Sequence, residues 1–292
     1  MSTVRELLAE AVERFDAAGL AYGHGTTNAL DEAAWLIQHA LGRPPRDIAP
    51  LLDRQLDAVQ AKAVRALVTR RIRTRKPAAY LTHEAWLGPH RFYVDERVIV
   101  PRSYLFELIE NKTLPPPKAG AKPRSILDLC TGSGCLAILA AIAFPEARVD
   151  AADLSRDALA VAKRNVADYK LGRRVRLVES DLFDALEGRR YDLIVTNPPY
   201  VKAASMRTLP EEYRKEPRLA LASGTDGLDH ARAILREAAA HLEPGGVLAM
   251  EIGHNRKALE RAFPATAFHW PRTSGGRGFV LTLSREELPQ GA

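Results

Sequence analysis

Ser125-Ile126-Leu127-Asp128-Leu129-Cys130-Thr131-Gly132-Ser133-Gly134-Cys135-Leu136-Ala137 decides the fold of this 292-residue chain. Its first half is a short apolar run that reads as a buried strand over 125–130, and its second half turns on two glycines into an apolar helix over 136–144. Glycines at such a turn let the backbone approach a ligand closely, and the helix behind them offers N–H groups without intrahelical partners. Downstream the alternation continues, with strands over 147–153, 175–180, 191–197 and 246–252 and helices over 156–169 and 229–242. The run 278–283 adds an edge strand. Such alternation predicts a parallel sheet with helices on both faces, and ligands at the carboxyl ends of its strands.

Upstream the periodicity changes. Residues 1–76 read as helical: Val4, Leu7, Leu8, Ala11, Val12 and Phe15 recur at helix spacing before Gly19. A second helix is expected over 28–41, with Asp31 and Glu32 in its first turn. A third, over 56–75, carries Val64, Leu67, Val68 and Ile72 on one stripe and stops before Pro77. Between 80 and 100 short strand patterns flank Gly88-Pro89, which predicts a hairpin. The stretch 113–124 holds four prolines and little that can pack, so it reads as an exposed linker. The expected organisation is a small helical bundle over 1–76, a hairpin and proline-rich linker over 77–124, and an α/β domain over 125–292.

A composition of 46% hydrophobic and 27% charged residues is that of a globular protein, and no run approaches the roughly 18 apolar residues of a membrane span. The first residues lack a signal-peptide core and carry an acid at Glu6, so a cytoplasmic location is expected. The two cysteines, Cys130 and Cys135, share one turn. They lack the further ligands of a zinc quartet and are expected to be reduced thiols, with no metal bound. Net charge is +6, and Lys62, Arg65, Arg70, Arg71, Arg73, Arg75 and Lys76 follow one another with no acid among them. That cluster is either a solvated helix face or a surface that contacts nucleic acid, ribosomal RNA included.

The chemistry is carried at the strand ends. Gly132, Gly134 and Ala137 fit the dinucleotide fingerprint, and Asp153 follows about twenty residues on, where an acid accepts hydrogen bonds from ribose hydroxyls. A nicotinamide or an adenosyl cofactor satisfies this much. Three features favour the second. Asp128 puts a carboxylate near the loop, where it repels a pyrophosphate and suits the ammonium and sulfonium of S-adenosylmethionine, although an acid after a strand also caps helices. Asp181 ends the third strand, where it can accept from an adenine amino group, with Leu182 and Phe183 beside the ring. The fourth strand ends in Asn197-Pro198-Pro199-Tyr200. Two prolines cannot continue a central strand. The stiff exit holds an amide oxygen, a proline carbonyl and an aromatic ring together, which suits a planar –NH2 group. The expected cofactor set is Asp128, Cys130, Thr131, Gly132, Ser133, Gly134, Asp153, Leu154, Asp181, Leu182 and Asn197. The expected catalytic set is Asn197, Pro198, Pro199 and Tyr200.

These motifs resemble the seven-strand S-adenosylmethionine-dependent methyltransferases, a Rossmann-like fold. Within them the chain is similar to the HemK-like protein glutamine methyltransferases, on Pro77-Ala78-Ala79-Tyr80-Leu81-Thr82, Phe92 to Ser103, Leu127 to Cys135 and Glu216 to Leu228. Cys130, and Ser103 after Pro101-Arg102, resemble the branch that modifies a ribosomal protein of the large subunit more than the release-factor branch. His83, where the family pattern has glycine, and Arg277, where it has an acid, depart from the resemblance. It implies transfer of a methyl group to a glutamine side-chain amide, with S-adenosylhomocysteine as product and the helical region presenting the substrate protein, within a ribosome assembly intermediate. Asn197 Oδ1 and the Pro198 carbonyl would accept the two amide hydrogens. Glu251 and His254, near the end of the fifth strand, are the weakly placed candidates for a base. The alternatives are a release-factor substrate, an amino group of adenine or guanine in nucleic acid, and a non-catalytic adenosyl-binding assembly factor.

Overall fold

The computed structural model describes residues 2–117 and 122–289, and the chain divides into two compact units. One comprises Met1–Glu96, Val100–Arg102 and Leu209–Glu216; the other comprises Arg97–Ile99, Ser103–Thr208 and Pro217–Ala292. Of the proline-rich stretch, residues 118–121 lie outside the described part.

The first unit is built on three helices whose starts are written in their caps. Helix α1 (Val4–Ala17) begins with a capping box between Thr3 and Glu6, and α2 (Ala29–Ala40) with the Asn28 side chain accepting the Asp31 N–H. Helix α3 (Ala58–Thr74) opens on a second capping box, Asp57 with Gln60. Val4, Leu7, Phe15, Leu36, Ile37, Val64 and Val68 from these helices are buried. Between α2 and α3 the chain is not purely helical. Strand β1 (Ser2–Thr3) pairs antiparallel with β2 (Gln55–Leu56), a ribbon too short to show as a pattern.

After Pro77 comes a five-residue helix, α4 (Ala78–Thr82), so Tyr80 is helical and not in a strand as expected. All five residues are buried, and a run that short carries no period from which helix and strand can be told apart. Strands β3 (Ala85–Leu87) and β4 (His90–Phe92) then form the hairpin, turning at Gly88 with φ +54°. His83, at the end of α4, adopts φ +55°. Its ring lies 3.2 Å from the Val94 carbonyl oxygen and stacks on Tyr93, contacts that a glycine would lack.

The basic run over 62–76 is not one solvated face. Arg71 is fully buried and donates to Glu32 (2.5 Å), Glu212 (3.4 Å) and the Ala21 carbonyl (3.1 Å). Arg75 pairs with Glu212, Lys76 with Glu96 and Arg65 with Glu10. Lys62, Arg70 and Arg73 remain exposed and, among the described residues, without an acid partner.

The second unit begins with α5 (Leu105–Glu110) and continues as β5 (Ser125–Leu129), α6 (Cys135–Ala143), β6 (Arg148–Asp153), α7 (Arg156–Asp168), β7 (Val175–Glu179) and β8 (Tyr191–Thr196). It closes with α8 (Asp229–Glu237), β9 (Leu242–Glu251), α9 (Arg256–Ala262), the small hairpin β10 (Arg272–Thr273) and β11 (Gly276–Arg277), and β12 (Val280–Ser284). The main sheet runs β12-β9-β8-β5-β6-β7, with β12 antiparallel and the rest parallel. It has six strands among the described residues, one fewer than the seven of the expected fold. Beyond β12 the seventh position holds one isolated bridge, His269 to Thr282. Pro264 and Pro271 flank that segment, and neither has an N–H to give to a ladder. Leu127, Leu129, Ile194, Leu248, Met250 and Leu281 belong to its core, together with Ile234 and Leu235 of α8.

Register does the positioning. Leu129 lies opposite Thr196 on one side and Ala152 on the other, and Asp153 lies opposite Glu179. The residues that follow these strands therefore emerge side by side. Strand order reverses between β5 and β8, and a crevice forms outside the carboxyl ends of strands at such a point.

Candidate active site

A cleft of about 740 Å³, mouth included, lies at those strand ends. Cys130 and Gly132 reach it after β5, Asp153 and Leu154 at the end of β6, Asp181 and Leu182 after β7, and Asn197 and Pro199 after β8. These eight were anticipated from the sequence. Asp128, Thr131, Ser133, Gly134, Pro198 and Tyr200 were anticipated too, but are not among the lining residues.

Asp153 organises the glycine turn. Its Oδ2 accepts the Gly132 N–H at 2.8 Å and its Oδ1 the Ser155 N–H at 2.9 Å. Burial raises its pKa, and the two N–H groups oppose the rise. The Thr131 N–H goes to the Ala152 carbonyl and the Gly134 N–H to the Thr131 carbonyl, both at 2.9 Å. The three N–H groups of the turn are spent inside the protein. Gly132, at φ +55°, has open space where a Cβ would stand, whereas a Cβ on Gly134 would come within 3.1 Å of Ala162. One glycine leaves room beside the cleft and the other lets α6 approach α7.

Asp128 acts from behind the turn. It is fully buried, and its Oδ2 accepts from the Thr131 hydroxyl and, at 2.9 Å, from the Ala137 N–H in the first turn of α6. It therefore caps α6 and braces the turn through Oδ2, while its buried Oδ1 has no hydrogen-bond partner among the described residues. Desolvation pushes its pKa up to about 7 against those hydrogen bonds. Ser133 is buried and its carbonyl accepts from Asn165 at 2.8 Å. Cys130 stands at φ +60° with its thiol pKa raised by burial, and Cys135 is buried with its thiol pushed up to about 12. Asp181 is exposed at the rim. Phe183 does not flank the cleft: it is a core residue stacked 4.5 Å from the His241 ring.

The exit from β8 is held from several sides. Thr196 Oγ1 donates to the Leu129 carbonyl at 2.7 Å, tying β8 to β5 at the last ladder position. Pro198 is buried, and the Tyr200 carbonyl accepts the Asn255 side-chain N–H at 2.8 Å. The Tyr200 ring lies so close to Gly253 that a Cβ there would stand 2.7 Å from it. Of the two candidate bases, Glu251 is buried and accepts from the Ser103 hydroxyl (2.6 Å) and the Tyr104 N–H (2.9 Å), anchoring the start of α5. His254 is exposed and packs edge-on to Phe279. Neither lines the cleft.

Arg97, Val98, Ile99, Leu129, Ser155, Ala158, Ser180, Pro217, Leu219, Ala220 and His230 complete the walls and were not anticipated as site residues. Arg97, Val98, Ile99, Leu129, Pro217, Leu219 and Ala220 lie within the stretches that carry the family resemblance, the one signal able to mark the apolar ones, while Ser155, Ala158, Ser180 and His230 lie outside them. The lining carries two acidic side chains, Asp153 and Asp181, and one basic one, Arg97, among largely hydrocarbon walls. It fits a cofactor with ribose hydroxyls, an amino-bearing base and positive charge, such as S-adenosylmethionine.

The chain matches the methyltransferase small domain over residues 112–224 and the PrmC N-terminal domain over residues 6–82. It is 54% identical over 288 residues to a ribosomal protein uL3 glutamine methyltransferase of Neisseria meningitidis serogroup B, covering 99% of this chain and 95% of that one. It is 51% identical over 294 residues to a protein of the same name from Burkholderia pseudomallei, covering 98% and 96%. Among solved structures, a methyltransferase from Pyrococcus furiosus aligns with a TM-score of 0.49 at 19% identity, over 66% of this chain and 88% of that one. With relatives this similar along nearly its whole length, the chain belongs to the family of ribosomal protein uL3 glutamine methyltransferases.

Proposed function

We propose that this enzyme transfers the methyl group of S-adenosylmethionine to the side-chain amide nitrogen of a glutamine in ribosomal protein uL3, in the cytoplasm. One observation carries the reading at the level of residues: Asn197 and Pro199 line the same cleft as Asp153 and Asp181. An amide clamp and an adenosyl site sharing one cleft bring acceptor and donor together. When bound, S-adenosylmethionine supplies an electrophilic methyl group on a sulfonium, so no metal is required. Asp153 accepts from the ribose hydroxyls with the lone pairs its two N–H partners leave free, and Asp181 accepts from the adenine amino group.

The amide is a poor nucleophile because its lone pair is delocalised into the carbonyl. Asn197 Oδ1 and the Pro198 carbonyl accept its two hydrogens, which holds the nitrogen in line and raises its electron density. Tyr200 packs against the amide plane. As the nitrogen–carbon bond forms, the sulfur–methyl bond breaks with its electron pair returning to sulfur, leaving S-adenosylhomocysteine. One N–H proton leaves to water or by way of the amide oxygen, since neither Glu251 nor His254 lines the cleft. Asn197→Ala is expected to lower turnover by about 10²–10³-fold, the usual cost of one positioned polar group, with S-adenosylhomocysteine affinity little changed. Normal turnover of glutamine in uL3, read by mass spectrometry, sinks the role. Asp153→Ala is expected to weaken S-adenosylhomocysteine binding in calorimetry, and unchanged affinity removes it from the ribose assignment.

Ribosomal RNA is a second proposed partner, met in an assembly intermediate through the exposed face of α3. Lys62, Arg65, Arg70 and Arg73 line one shallow groove there. Binding to an RNA duplex is expected to weaken steeply with salt, and a Lys62→Glu, Arg70→Glu, Arg73→Glu triple variant to lose about three phosphate contacts of the salt slope. An unchanged slope removes α3 from RNA contact.

A further inference from the structure

Ser223 and His230 form a pair for which the reaction above has no use. Ser223 is 1% exposed; its Oγ accepts the backbone N–H of His230 at 3.1 Å and lies 2.8 Å from Nδ1 of the same histidine's ring. Among the described residues this hydroxyl makes no other hydrogen bond. A buried hydroxyl proton without an acceptor costs roughly 1–3 kcal/mol, and Nδ1 is the acceptor at hand. The hydroxyl therefore donates to Nδ1, and the proton of the neutral ring sits on Nε2.

The turn that makes this pair is firmly built. Gly224 has φ +66°, and any Cβ there would run into the Asp229 carboxylate. Arg232 pairs with both Asp226 and Asp229, closing the turn onto the start of α8. His230 lines the cleft in company with Asp181 and Leu182. Burial lowers its pKa while the charges of Asp181 and Asp229 oppose that, so near pH 7 the ring is predominantly neutral.

We propose that His230, locked by Ser223 in the Nε2–H tautomer, reads the nucleobase of the cofactor, donating to a ring nitrogen of the adenine whose amino group is held by Asp181. The inference rests on the adenosyl reading of the cleft. Its chemistry is that of a donor beside an acceptor. Adenine offers an amino group flanked by ring nitrogens that accept, whereas hypoxanthine puts a carbonyl in place of the amino group and a proton on the neighbouring nitrogen. Asp181 with His230 matches the first and opposes the second.

Two measurements test it without relying on turnover. Long-range 1H–15N spectra of histidine-labelled protein are expected to show His230 as the Nε2–H tautomer, with that nitrogen shifting when S-adenosylhomocysteine is added. In calorimetry His230→Leu is expected to bind S-adenosylhomocysteine about tenfold more weakly, the scale of one net hydrogen bond, and to narrow the preference over S-inosylhomocysteine. His230→Gln, which keeps an N–H donor, is expected to recover most of the loss, and Ser223→Ala to lose part of it by freeing the tautomer. An Nδ1–H spectrum, or equal affinity in a folded His230→Leu, overturns the inference while leaving the adenosyl reading intact. A wild-type enzyme that binds no S-adenosylhomocysteine overturns both.

Discussion

Asp128 puts a carboxylate where no solvent reaches it, and the consequence is a pH dependence with a definite sign. Its pKa is about 7 in the folded chain, against about 3.9 for an unperturbed aspartate. Between those values the folded form holds a proton that the unfolded chain has lost. The contribution of Asp128 to stability therefore falls as pH rises from about 4 to about 7 and is level above that. Asp128→Asn removes the titration. Urea unfolding is expected to show the variant gaining on wild type by about 2 kcal/mol between pH 5 and pH 8. A difference independent of pH would mean that the carboxylate is charged throughout. The sequence marked this residue, but an acid that faces a ligand and an acid that caps the next helix look identical in a string of letters.

At the scale of elements, the tetrapeptide after β8 is only as good as what stands behind it. Gly253 has φ +54° and Gly227 has φ +81°, and a Cβ on either would press on Tyr200, at 2.7 Å from its ring and 2.5 Å from its carbonyl oxygen. Gly253→Ala is expected to cost about 1–2 kcal/mol in backbone strain alone and to push the Tyr200 ring out of place. Turnover should then fall while S-adenosylhomocysteine affinity in calorimetry stays close to wild type. A variant with normal turnover would show that the ring position is immaterial. Strands β5, β6, β7 and β8 begin and end within a residue of the ranges expected from the sequence, because polar, glycine or proline residues follow each of them closely. β9 is different: it starts at Leu242, earlier than its glycine pair suggests, through pairing with Tyr191 across a register shift. Long-range pairing of that kind leaves no local mark.

At the scale of the whole molecule, each unit is assembled from segments far apart in the chain. In the first, Arg102 meets Glu216 as a bidentate pair, both hydrogen bonds at 2.6 Å, and the Val100 N–H adds a third to the same carboxylate at 2.9 Å. Burial alone would raise the Glu216 pKa, but Arg102 and His24 outweigh it and hold the carboxyl at about 2. Its stabilising contribution is present above the unfolded value of about 4.3 and is lost as pH falls through about 2. Glu216→Gln leaves Arg102 without its counter-charge and is expected to destabilise by about 3–5 kcal/mol, the cost of breaking a buried pair. Chemical denaturation at pH 7 checks the loss, and the difference between variant and wild type should shrink toward pH 2. Arg102 and Glu216 lie in two of the stretches that carry the family resemblance, yet only the folded chain reveals them as partners.

Local chemistry settled the α/β sheet, the helical start of the chain, and the proline-stiffened exit at Asn197-Pro198-Pro199-Tyr200 at the end of a strand. Hydrophobic period, glycine and two consecutive prolines act on the backbone within a few residues of themselves, so their effects can be read in order along the sequence. Tertiary structure alone decided that Asp128 caps a helix from a buried position, that Arg71 is an interior residue in a run of surface cations, that Phe183 belongs to the core, and that Ser223 sets the proton on the His230 ring. Each of these depends on desolvation and on partners brought close by folding, and neither is a property of any short stretch of chain.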